Sequence, residues 1–184
     1  MKETFTITIY TENTIGLLVR ITAMFVRRRI DIESLNVAAS EVEGIHRFTI
    51  VINETEEVTR KLMLQINKQV NVFKTFFNTN EEIVWQKQLL CKVAGSDTNE
   101  AIENALNIYG ARRISTGDEY TVYGVAGSAE TTDAVEKLLE PLGITEIVKS
   151  ARIAVIKSNH AIHQKLKLIE PLNNYLSKVE DKVS

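Results

Sequence analysis

The stretch that decides the fold is TENTIGLLVRITAMFVRRRIDIESLNV, residues 11–37. Upstream of it Phe5, Ile7 and Ile9 alternate with Thr4, Thr6, Thr8 and Tyr10, the period-two pattern of a strand with one buried face. Leu17, Leu18, Ile21, Met24, Phe25 and Arg28 then recur at three- and four-residue spacing, which predicts a helix whose apolar stripe covers that face. The joint Glu12-Asn13-Thr14-Ile15-Gly16 carries an Asn and a Thr suited to capping the helix and a Gly that permits close backbone approach. The first N–H groups of a helix lack internal partners and sit at the positive end of its dipole, so this turn suits a small carboxylate. A glycine that only relieves a tight turn explains the same residues equally well. Nothing in the stretch can do chemistry on a bound anion, which points to sensing.

Working outward, the pattern repeats. Ile30, Ile32, Leu35 and Val37, a turn at Glu43-Gly44, and Ile45, Phe48, Ile50 and Ile52 read as a hairpin. Its apolar phase changes from even to odd between Ile32 and Leu35, which predicts a bulge or twist near Glu33-Ser34. Val58, Leu62 and Ile66 mark a second helix, and Val70, Val72 and Phe73 a closing strand. From Ile83 the order restarts: a strand through Leu89, Cys91 and Val93, a helix from Ala101 to Tyr109, a strand at Arg112–Ser115, and a turn at Thr116–Glu119. The strand Tyr120–Val125 follows, then a helix through Val135, Leu138 and Leu139 ended by Pro141 and Gly143, while Ile144 to Ile147 and Ile153, Val155 and Ile156 supply the last strand or pair of strands.

The expected fold is therefore α+β: two tandem ferredoxin-like βαββαβ units, residues 1–78 and 83–158, joined by the polar link Asn78–Glu82. Residues 159–184 read as a tail, where Ile162, Leu166, Ile169, Leu172 and Leu176 predict an amphipathic helix interrupted at Pro171. Each unit lays both helices on one sheet face and leaves the other to be covered. Units of this size have little core to spare, so pairing with the other half or with another chain is expected, and a homodimer is predicted.

Bulk properties narrow the function. The chain has 184 residues, 44% hydrophobic and 25% charged, with a formal net charge of −2 and pI near 6.0. That charge supplies no general field for nucleic acid or an anionic membrane. An N-terminus without an apolar signal core, and no run of about 18 apolar residues, predict a cytoplasmic chain. Cys91, the single cysteine, alternates with Leu89 and Val93 and reads as a buried strand residue. His160 and His163 share a helical spacing used by metal sites, but no Cys or carboxylate cluster accompanies them in sequence, so no metal is expected. Phosphate-loop, dinucleotide and nucleophile-elbow motifs are missing, and Gly124 with Gly127 reads as close packing. The central strands, Arg47-Phe48-Thr49-Ile50 and Tyr120-Thr121-Val122-Tyr123, lack the basic-Gly-aromatic signature of an RNA-recognition fold. No catalytic residues emerge.

Glu12-Asn13-x-x-Gly16-x-Leu18, Arg20-Ile21, Phe25, Ile32-Glu33-Ser34-Leu35 and Val37-Ala38 resemble the N-terminal ACT domain of the acetolactate synthase (acetohydroxyacid synthase) small regulatory subunit. Tyr120-Thr121-Val122, Ala126-Gly127 and Leu138-Leu139-x-Pro141-x-Gly143-Ile144 leading to Glu146-Ile147 are similar to that family's C-terminal domain, so the resemblance covers about residues 3–157. It implies a non-catalytic subunit that activates a large catalytic subunit and confers feedback inhibition by valine or another branched-chain amino acid. The large subunit would hold thiamine diphosphate, magnesium and, in some members, FAD; this chain would hold no cofactor. The effector would lie between two ACT domains. Carried over by position, Asn13 would hydrogen-bond the amino acid, the amides of Gly16, Leu17 and Leu18 would hold its carboxylate, and Asp31 and Ile32 would face it from the other chain. The sequence departs from the family where Arg29 and Asp31 replace the usual Gly and Asn, and where Ile15 replaces a frequent Pro. Arg29 costs up to about 1 kcal/mol if its backbone is left-handed. Asp31 strengthens binding if it faces the ligand's ammonium and weakens it if it faces the carboxylate. The alternative is a free-standing ACT-type sensor acting on another protein partner.

Overall fold

The computed structural model describes residues 1–40, 42–95 and 100–158. The expected tail helix and the His160/His163 pair lie outside them. The described residues divide into two compact units, Met1–Val84 with residues 154–158, and Trp85–Ile153.

In the first unit the order is β1 (Glu3–Glu12), α1 (Leu17–Arg27), β2 (Ser34–Ala39), β3 (Ile45–Glu54), α2 (Glu56–Ile66) and β4 (Val72–Thr79). The antiparallel sheet runs β2-β3-β1-β4, with Ile7 opposite Ile50 and Leu35 opposite Ile50 in the next pair. Strand alternation sends Phe5, Ile7, Ile9, Phe48, Ile50 and Ile52 to one face, where Leu17, Ile21 and Phe25 of α1 and Leu62, Met63 and Ile66 of α2 close the core. α2 is entered by Thr55, whose hydroxyl accepts the Val58 N–H, and its first turn carries Glu56 and Glu57.

Two expectations are corrected. β2 begins at Ser34 and pairs with β3 in unbroken register, so no bulge lies at Glu33-Ser34. The phase change arises because Ile30 and Ile32 precede the strand and pack against the core from the connecting loop. Val70 is exposed and outside the last strand, which runs from Val72 through Phe76 and Phe77 to Thr79. The second sheet face is buried at Thr6, Thr8, Thr49 and Val51, which are 2%, 3%, 4% and 3% exposed. Toward one end of this face Tyr10 and Ile45 pack with Val42, Phe73 and Phe76, and Arg47 donates through Nη2 to the Ala154 carbonyl at 2.6 Å.

In the second unit β5 (Ile83–Ala94) leads to α3 (Glu100–Ile108), β6 (Arg112–Thr116), β7 (Tyr120–Gly127), α4 (Ala129–Leu139), a 3-10 turn at Glu140–Leu142 and β8 (Ile144–Lys149). The sheet order is β6-β7-β5-β8, with β9 (Ile153–Ile156) pairing with β5 off that path. Leu89, Cys91, Val93, Tyr123 and Val125 meet Leu106, Val135 and Leu139 in the core. A Cβ at Gly124 would lie 2.8 Å from Ile114 Cγ1 and one at Gly127 2.7 Å from Thr131 Cγ2, the close packing expected of both glycines.

One joint recurs in both units. α1 ends with Arg29 at φ 56°, where Ile30 N–H reaches the Phe25 carbonyl at 3.0 Å and Arg29 N–H reaches that of Val26 at 2.9 Å. α3 ends with Gly110 at φ 70°, where Ala111 N–H reaches the Leu106 carbonyl at 3.0 Å and Gly110 N–H that of Asn107 at 3.0 Å. Both are Schellman caps, each sealed by a buried pair, Phe25 with Ile30 and Leu106 with Ala111. The first holds a β-carbon in the left-handed region; the second does not.

Candidate functional site at the start of the first helix

The turn after β1 is built by backbone bonds. Glu12 N–H donates to the Asn71 carbonyl at 2.9 Å, Asn13 N–H to that of Gly44 at 3.1 Å, and Thr14 N–H to that of Glu12 at 3.0 Å. Asn71, at φ 73°, donates its side-chain amide to the Glu12 carboxylate. The sequence reading did not single it out, although an Asn between Val70 and Val72 is the residue type that tolerates a left-handed turn.

Gly16 is itself the residue that caps α1, at φ 82° and ψ −5°, with no side-chain cap bond. The expected capping by Asn13 or Thr14 is thus not realised, because the chain reaches the helix through a left-handed residue and leaves both side chains behind it. A Cβ at Gly16 would meet nothing within 4 Å, so the glycine is there for its backbone angle. Leu17 N–H is committed to the Thr14 carbonyl at 3.2 Å, and Arg20 N–H to that of Gly16 at 3.1 Å. The amides of Gly16, Leu18 and Val19 find no acceptor among the described residues. Of the three amides expected to hold a carboxylate, those of Gly16 and Leu18 are available and that of Leu17 is occupied.

Charge follows the same pattern. The first turns of α2, α3 and α4 carry Glu56 and Glu57, Glu100 and Glu103, and Glu130, whereas that of α1 has no acidic residue. The positive end of the α1 dipole is not neutralised by its own helix, and an external anion there gains on the order of 0.3–2 kcal/mol. Asn13, Gly16 and Leu18 are exposed, and Leu17 is buried in the core.

Asp31 and Ile32 lie past the other end of α1. Asp31 is exposed, and Ile32 packs its side chain partly against the core. An 11-residue helix separates the two groups by roughly 16 Å at 1.5 Å per residue. One chain therefore brings Asn13, Gly16 and Leu18 together and keeps Asp31 and Ile32 out of reach of the same small ligand.

Among the described residues no group of three or more His, Cys, Asp or Glu is arranged to hold a metal, and no helix is long and apolar enough to cross a membrane. Cys91 is fully buried in β5, and burial, with the Glu136 charge adding to it, pushes its thiol above the usual range.

Residues 7–74 match the family described as the AHAS small subunit-like ACT domain, and residues 86–158 that described as the small subunit of acetolactate synthase. The chain is 31% identical over 160 residues to the acetolactate synthase small subunit of Mycolicibacterium smegmatis, covering 86% of this chain and 94% of that one. It is 33% identical over 156 residues to the small subunit of Bacillus subtilis, covering 84% and 90%. The crystal structure of the acetolactate synthase small subunit from Thermotoga maritima superposes with a TM-score of 0.77 at 22% identity, covering 85% of this chain and 99% of that one, and so shares its fold. Two family matches in chain order, spanning both units, and relatives matched over nearly their whole length lead to one conclusion: this chain belongs to the acetolactate synthase small subunit family, with an N-terminal ACT domain and a second ferredoxin-like unit.

Proposed function

We propose that this chain is the non-catalytic regulatory subunit of an acetolactate synthase. It activates a thiamine-diphosphate-dependent large subunit in the cytoplasm and makes it sensitive to valine or another branched-chain amino acid. The observation that carries the effector site is the start of α1, where the Gly16 and Leu18 amides stand without acceptors beside Asn13 on a helix end that lacks acidic residues. The effector's carboxylate takes those amides, and Asn13 fixes its polar end. Its branched side chain needs an apolar niche with few polar contacts. Asp31 and Ile32 come from a second copy, because a homodimer is the arrangement that returns the far end of α1 to the ligand. Asp31 then meets the ammonium group, the orientation in which its charge assists binding. Thiamine diphosphate, magnesium and any FAD belong to the large subunit.

The test is acetolactate formation from pyruvate by the large subunit of the same organism, with and without this chain, across a valine titration. Activation with valine inhibition is expected. Activation that ignores valine would keep the subunit role and remove valine as effector; no change in activity would leave a free-standing ACT sensor.

A further inference from the structure

On the outer side of the helix layer, α1 and α2 enclose a groove of about 720 Å³ lined by Val19, Ala23, Met24, Gln65 and Gln69, with the cations Arg20, Arg27, Arg28 and Lys68 around it. No acidic residue lines it. The side chains of Arg20, Arg27 and Lys68 form no ion pair or hydrogen bond among the described residues, and the Arg28 side chain is bonded through Nε only to the neutral Gln65, at 3.1 Å. Farther back on α2 the charges cancel instead: Arg60 pairs with Glu56 at 2.5 Å and Lys61 with Glu57 at 2.6 Å. Four cations gathered without a counter-charge, in a chain of net charge −2, repel one another and favour an external polyanion. Arg20 and Arg27 are separated by roughly 10 Å of helix, so no single carboxylate or phosphate spans them. The floor, Val19, Ala23 and Met24, is apolar, and Val19 is 69% exposed, which suits side chains better than a sugar-phosphate backbone.

We propose that the α1–α2 groove docks an acidic, amphipathic segment of the large catalytic subunit, apolar side chains seated on Val19, Ala23 and Met24 and carboxylates ranged against Arg20, Arg27, Arg28 and Lys68. The inference rests on the regulatory-subunit reading for the identity of the partner; the groove and its charge stand without it. Docking at the α1–α2 face places the partner on the same helix that begins at Gly16, so occupancy of the helix start and engagement of the partner act on one rigid element.

The experiment titrates the full-length chain onto the purified large subunit, reading affinity by sedimentation or surface binding and activity as acetolactate formation. It compares the unaltered chain with R20E/R27E/K68E, with the milder R20Q/R27Q/K68Q, and with Lys137→Glu on α4 as a charge control that does not line the groove, each verified as folded by its thermal transition. The expected result is about a hundredfold loss of affinity for the reversal, a smaller loss with a flattened salt dependence for the neutral variant, and no change for Lys137→Glu. Unaltered affinity in a folded R20E/R27E/K68E chain, with activation intact, overturns the groove and leaves the subunit reading standing. A large subunit that ignores even the unaltered chain overturns both. Binding of inorganic polyphosphate or a single-stranded oligonucleotide that the reversal abolishes, with large-subunit affinity unchanged, assigns the cations to phosphate and overturns the proposal.

Discussion

Replacing Arg29 with glycine should stabilise the first unit. Arg29 closes α1 at φ 56°, and its N–H and that of Ile30 are committed to Val26 and Phe25, so the left-handed angle is imposed by the cap and cannot relax without breaking it. An L-residue pays about 1–2 kcal/mol for that region, which Gly avoids. Against this gain, a glycine leaves the unfolded chain freer by about 0.4–1 kcal/mol. The Arg29 side chain is exposed and makes no hydrogen bond or ion pair among the described residues, so its loss adds little. The net is a gain of about 0.5–1 kcal/mol, or a Tm rise of about 2–8 °C for a unit of this size. The second unit supplies the reciprocal experiment. Gly110 occupies the same position of the same cap, and a Cβ there meets nothing within 4 Å, so Gly110→Ala carries the backbone cost alone and should lower stability by about 1 kcal/mol. Scanning calorimetry of both variants beside the parent chain reads the two effects. A lower or unchanged Tm for Arg29→Gly, with Gly110→Ala destabilising as expected, would show that the first cap does not impose its angle on residue 29.

Further expectations concern the helix start, the cysteine and the surface charges. Gly16→Asp sets a carboxylate where the effector's carboxylate belongs, whereas Gly16→Asn has a side chain equally tolerant of φ 82° without the charge; calorimetric titration should find valine affinity at least about tenfold weaker in the Asp variant than in the Asn variant. Equal affinities would remove the carboxylate from the α1 terminus. Cys91, buried and with its thiol pushed up, should resist a thiol-specific chromogenic reagent at pH 8 in the native chain and react at once in guanidinium; prompt native labelling would contradict the packing of β5. Asp133 is held below its ordinary range, first by its hydrogen bond from Lys149 and then by that residue's charge. A carboxylate lowered on folding contributes stability above its unfolded pKa and loses it as pH falls through the folded value. Lys149→Met should therefore reduce the acid-induced loss of stability below about pH 4, in unfolding curves compared with the parent; identical acid profiles would mean that the exposed pair contributes nothing.

Much of the architecture was legible because alternation and helical spacing report which face of an element is buried. Phe5-Ile7-Ile9 and Leu17-Ile21-Phe25 fall on the core exactly as their periods require, and the second unit repeats the device with Leu89-Cys91-Val93 and Leu106. Period fails where an apolar side chain is buried without belonging to an element. Ile30 and Ile32 enter the core from a loop, so their phase against Leu35 resembled a bulge. Backbone angle is the second blind spot. Gly16 marked a turn without giving its angle, the left-handed backbone at Arg29 was raised only through the glycine the family usually carries there, and Asn71 gave no sign of it, since the hydrogen bonds around these residues set their angles. The candidate site was readable as a strand-to-helix turn, but the commitment of the Leu17 amide to Thr14 depends on the path between Asn13 and Gly16, which no spacing encodes.

The length of α1 has a genetic consequence under the proposed dimeric site. Since Gly16 and Asp31 sit at opposite ends of the helix, each effector position in a homodimer draws one end from each copy. A chain defective at Gly16 and another defective at Asp31 are both insensitive alone, yet a mixed dimer has one position in which both damaged ends meet and one in which both are intact. Co-expressing the two alleles should restore partial feedback that neither restores singly, and the restored fraction should track the share of mixed dimers.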